Sequence, residues 1–129
     1  MARIVRFHAK DIGGGDEDFA ITVGFARDQI DEPMDDGLIL QRVKEDDSDD
    51  QGIYAEVPIQ RYVSYGGIKE ATLSRTQFVI SFAPQTVRDF DDISGMEISF
   101  TIPIDQFEKI AGLLKRIFRN HDGLKIEHP

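Results

Sequence analysis

Residues 96–118 read MEISFTIPIDQFEKIAGLLKRIF, and the period of their apolar residues changes halfway along. In the first part Met96, Ile98, Phe100 and Ile102 alternate with Glu97, Ser99 and Thr101. A strand sends successive side chains to opposite faces, so this is a strand with one buried side. Beyond Pro103 the apolar residues are Phe107, Ile110, Ala111, Leu114, Ile117 and Phe118. Their spacing gives one stripe on an α-helix. Asp105 is placed as its N-cap, with Glu108 completing an Asp form of the capping box. Lys115, Arg116 and Arg119 suit the negative end of the helix dipole, and Gly123 supplies a stop. A helix stripe and a sheet face must bury each other, so the fold turns on how much sheet precedes this helix.

Most of the chain upstream reads as strand. RIVRFHAK at 3–10 puts Val5, Phe7 and Ala9 on one face, with Arg6, the solvated His8 and Lys10 on the other. DIGGGDED follows as a glycine turn, and FAITVGFA then aligns Phe19, Ile21, Val23 and Phe25, so the two runs predict a hairpin. RDQIDEPMDDG is a loop broken by Pro33 and Gly37. LILQRV and IYAEVPI are strands; Leu38 and Leu40 share a side, and so do Ile53, Ala55, Val57 and Ile59. Pro58 belongs near a strand end or on an edge, because it lacks a ladder donor. A Gly66-Gly67 bend precedes strands around 68–74 and 78–82; QTVRDFDDISG is a polar connection, and LKIE adds a final short strand. The expected fold is α+β: a mostly antiparallel sheet of about six or seven strands with one C-terminal amphipathic helix packed on it. The 129 residues fit a single domain, 1–129.

Composition narrows the function. There is no cysteine, which removes disulfides, thiolate zinc sites and cysteine nucleophiles. No apolar run approaches the ~18 residues of a membrane span, and the N-terminus lacks the apolar core of a signal peptide. These features suit the cytoplasm. The net charge of −9 argues against nucleic acid and anionic membranes as partners. Its distribution is uneven: residues 1–10 carry +3, residues 11–50 carry −11, and residues 51–129 carry −1.

The acidic block peaks at KEDDSDDQG, residues 44–52. An EF-hand starting at Asp47 would need a bidentate Glu where Pro58 stands, and its flanks read as strands, so that motif is rejected. What remains is a solvated turn able to guide a basic partner. The Gly13–Gly15 run lacks the lysine and helix of a phosphate loop. His8, His121 and His128 have no metal spacing, and no GxSxG appears. No catalytic, cofactor or metal residue is assigned, and the chain reads as a non-enzyme.

Three stretches, LILQR at 38–42, DDQGIYAEV at 49–57 and YGGIKEATLSRTQFVISF at 65–82, follow one another in an order that resembles the immunity protein 10 family. So do the ending at 96–118 and the start, RFHAKDIGGGDEDFAITVGFA. The resemblance implies a cytoplasmic, non-enzymatic protein that accompanies a bacterial polymorphic toxin and protects the producing cell by binding its toxin domain. That domain could be a basic nuclease. The family supplies no shared toxin-binding motif, so the candidate partner-binding residues come from this chain alone. They are Asp46, Asp47, Asp49 and Asp50 for charge complementarity, and Tyr54, Tyr62 and Tyr65 as aromatic anchors. The alternative is a structural or regulatory interaction domain that dimerises through an exposed sheet edge.

Overall fold

A computed structural model describes residues 2–27, 37–57 and 62–127. Pro33, Pro58, Ile59 and His128 lie outside the described residues. Nine strands and two helices are formed among the described residues: β1 (Arg3–Asp16), β2 (Ala20–Arg27), β3 (Gly37–Val43), β4 (Tyr54–Val57), β5 (Tyr62–Tyr65), β6 (Ile68–Leu73), β7 (Gln77–Phe82), α1 (Pro84–Asp89), β8 (Ile93–Ser99), α2 (Ile104–Ile117) and β9 (Leu124–Ile126). The strand order is β5-β4-β3-β2-β1-β8-β7-β6-β9. Most pairings are antiparallel, but β1 runs parallel to β8, and β6 parallel to β9.

The strand count exceeds the six or seven expected. β5 was not legible, because only Tyr62 and Ser64 of YVSY turn inward and neither is an aliphatic residue. The second helix, α1, falls in the stretch read as a polar connection. Six residues are too few to show a helical period, and the helix opens on Pro84, where a missing N–H costs nothing. The turn after it, with Asp91 and Asp92 at φ of 53° and 66°, buries Phe90 completely.

β1 joins the two halves of the sheet. Arg3 to His8 pair with β8, and Ala9 to Asp16 pair with β2, with a bulge between Ala9 and Asp11 where the partner changes. The bulge shifts the inward parity from Phe7 and Ala9 to Ile12 and Gly14. The glycines at 13–15 are therefore strand and not turn. Gly14 is there because a Cβ would strike the Thr22 carbonyl and lie 3.0 Å from Leu113 Cδ1 of α2. The expected hairpin does form, but its turn is Glu17–Phe19, closed by Glu17 N–H donating to Ala20 O at 2.9 Å.

β5 and β6 lie towards opposite ends of the strand order, yet only Gly66 and Gly67 join them. Gly66 has φ of 71°, and a Cβ on Gly67 would collide with the hydroxyls of Thr86 and Ser64. The sheet must therefore curl so that its halves face each other. Phe25 of β2 and Phe78 of β7 stack across the gap with centroids 4.9 Å apart. The stripe of α2, including Phe107, Ile110, Leu114 and Ile117, is buried against β1, β2 and β3. The helix does not use the expected cap. It starts at Ile104 with Pro103 at the N-cap and no side-chain cap bond; the Asp105 carboxylate accepts from Gln106 N–H instead. It ends at Phe118, before Gly123, and Asn120 takes the left-handed conformation there with φ of 62°.

Candidate functional site

Arg42 organises the surroundings of the acidic turn. It continues the inward parity of Leu38 and Leu40, so β3 aims a guanidinium at the end of α2. Its side chain is 13% exposed. Nη1 donates to Ile117 O at 2.9 Å and to Arg119 O at 2.8 Å, capping a helix end that carries negative partial charge. Nε donates to both oxygens of Asp50, at 3.2 and 3.1 Å. Arg119 adds a bond to Val43 O at 2.7 Å and one to Asp50 at 3.2 Å. The Asp50 carboxyl is held below its ordinary range, chiefly by Arg42, then by the Gly52 N–H.

A second cluster lies alongside. Arg116 grips Glu45 through two bonds of 2.8 and 2.9 Å and reaches Asp16 at 2.8 Å; Lys44 meets Asp16 at 2.8 Å. Bonding to Arg116 draws the Glu45 carboxyl down to about 2, while Lys44 and Arg116 lower that of Asp16. The expected dipole arginines of α2 thus spend their charge on named carboxylates.

The carboxylates in and around the acidic turn therefore divide into two sets. Asp16, Glu45 and Asp50 are neutralised within the fold. Asp46, Asp47 and Asp49 point to solvent, and no cation among the described residues pairs with them. The Asp47 carboxylate accepts from Asp49 N–H at 2.8 Å, and Asp47 N–H donates to Lys44 O at 3.0 Å, which gives the turn a defined shape.

Next to this turn, on the outer face of β3, β4 and β5, is an open cleft of about 260 Å³. Tyr54 and Tyr65 face each other across the β4–β5 register, with ring centroids 5.2 Å apart. Asp49 and Val43 line the cleft with them, and so does Phe19, which sits at the β1–β2 turn and is 83% exposed. Tyr65 is 58% exposed. The Tyr54 hydroxyl donates to Glu56 Oε1 at 2.5 Å, and that carboxylate pushes the phenol up to about 12.

Of the seven residues anticipated, the structure brings Asp49, Tyr54 and Tyr65 together and sets Asp46 and Asp47 beside them. Asp50 faces inward to Arg42 and Arg119. Tyr62 lies on the opposite side of β5, stacked on Phe90 at 5.8 Å. Phe19 was not anticipated as a site residue. Period-two extension from Ile21 and Phe25 put it in the core, but β2 begins at Ala20, and the parity does not carry across the turn. The signal available was DED immediately before it, a poor flank for a buried ring.

Among the described residues no group of three or more His, Asp or Glu is placed to hold a metal ion, and no helix is long and apolar enough to cross a membrane. Fold and site together define an acidic α+β protein that presents aromatic rings beside outward-facing carboxylates. A family model, Immunity protein 10, matches residues 8–108. The chain belongs to the immunity protein 10 family. No curated protein matches it.

Proposed function

We propose that this protein is the immunity partner of a bacterial toxin domain, which it binds noncovalently in the cytoplasm so that the producing cell survives. Family membership supports the class of function. The observation that supports this face as the interface is the cleft itself: two strongly exposed aromatic rings, Phe19 and Tyr65, stand beside carboxylates that no cation among the described residues pairs with. Aromatic anchors carry binding energy at interfaces, while outward charge speeds encounter and selects partners. Asp46, Asp47 and Asp49 would steer a basic surface, and Tyr54 and Tyr65 with Phe19 would anchor it. Asp50 and Tyr62 would act from behind, holding the turn and β5 in place. The homodimer alternative has less behind it, since among the described residues the edge strands β5 and β9 are four and three residues long and offer few ladder bonds.

The test is co-expression with the toxic C-terminal domain encoded next to the gene. The chain should restore growth and co-purify with that domain in equal amounts. Phe19→Ala with Tyr65→Ala should weaken the complex by about 2 kcal/mol or more, as expected for interface anchors. Growth arrest despite soluble chain, or unchanged affinity in the double variant, would overturn the function or the assigned face respectively.

A further inference from the structure

We propose that the cleft receives an arginine side chain of the partner, its guanidinium against the rings of Phe19 and Tyr65 and its N–H groups on Asp49. The proposal rests on the reading that this face meets the toxin, and it specifies what enters. At about 260 Å³ the open cleft has room for one long side chain.

The charge of the lining selects a cation. Arg42 contributes to the wall, but its guanidinium is engaged by Asp50 and by two carbonyls of α2. Among the described residues no cation pairs with the Asp49 carboxylate, or with Asp46 and Asp47 in the same turn. Glu56 shares the outer face of β4 with Tyr54 and adds another carboxylate close to the rings. Ring faces are themselves the negative side of an aromatic quadrupole. An anion would be repelled here. An apolar side chain would cover the rings but strip water from Asp49 without replacing its hydrogen bonds. A guanidinium serves both, because it is planar, weakly hydrated and able to stack while donating to a carboxylate.

The probe is N-acetyl-arginine amide, titrated into the isolated protein and followed by the ring resonances of Phe19, Tyr54 and Tyr65. N-acetyl-leucine amide is the control. Saturable shifts confined to these rings, with leucine amide at least about fivefold weaker and Asp49→Asn weakening the arginine amide at least threefold, are expected for a cation–π contact closed by one carboxylate. Equal shifts from both amides, no shift from the arginine amide, or an unchanged Asp49→Asn titration would overturn the proposal. The experiment needs no toxin. A cleft that ignores arginine while Phe19→Ala still weakens the toxin complex would defeat this inference alone. Arginine uptake with an undiminished toxin complex would defeat the assigned face.

Discussion

Arg42 shows how much one residue can decide. A charged side chain on the inward face of a strand is costly unless every donor finds an acceptor. Here Asp50 and the carbonyls of Ile117 and Arg119 supply them. Arg42→Met should therefore lower stability by roughly 2–3 kcal/mol, since it strands helix carbonyls and leaves Asp50 with only Arg119 and the Gly52 N–H. Urea unfolding should show a lower midpoint with an unchanged slope. Phe19→Ala should leave the unfolding free energy within about 0.5 kcal/mol of the parent, because the ring is already in water. Tyr54 gives a separate readout. Its folded phenol titrates near 12, above the ordinary 10.0, so the stabilisation from its bond to Glu56 is complete below 10 and is lost as pH rises through about 12. Glu56→Gln should bring the titration, followed by ultraviolet absorbance, back towards 10.

At the scale of elements, what could be read in the sequence was periodicity. The alternation at 96–102 appears as alternating burial, although the strand itself runs Ile93–Ser99 and stops short of Phe100, and the stripe at 107–118 appears with Phe107 and Leu114 buried. What could not be read were features set by a distant neighbour. The glycines at 13–15 look like a turn by composition, yet α2 and β2 require one of them inside a strand. Gly14→Ala should cost about 1–3 kcal/mol through overpacking, whereas Gly13→Ala, whose Cβ would meet nothing, should be nearly neutral in the same thermal melt. The site was legible to a similar degree. Its acidic turn and two of its tyrosines stand out by residue type, but the inward assignment of Asp50 depends on Arg42, which is itself aimed by the Ile117 and Arg119 carbonyls at the far end of α2. Tyr62 and Tyr65 are three apart in one strand, so their side chains point to opposite faces.

Over the whole molecule, net charge and internal pairing act in different pH ranges. The depressed Glu45 carboxyl is ionised in the fold down to about 2, against an ordinary 4.5. A lowered folded value means that its contribution is present above 4.5 and is lost as pH falls towards 2. Asp16 and Asp50 are shifted in the same direction. Acid unfolding followed by circular dichroism should therefore set in below pH 4.5, and Arg116→Gln should move it upward. The outward carboxylates act at neutral pH instead. Replacing Asp46, Asp47 and Asp49 with asparagine should slow association with the toxin domain and flatten its salt dependence while changing the dissociation rate little.

The long first strand also bears on timing. Arg3 to His8 are the first described strand residues to leave the ribosome, but their partners, Ile93 to Ser99, emerge some ninety positions later. At about 5–20 residues per second, that leaves the beginning of the chain waiting several seconds for the segment that completes it. A nascent chain stopped before residue 93 would carry seven of the nine described strands as two unjoined pieces, β5 to β1 and β7 with β6, and it would lack the helix whose end steadies the acidic turn. Under the proposed function, binding would then begin only once residues 93–117 have been made, so a cell that makes both proteins would gain from starting this one first.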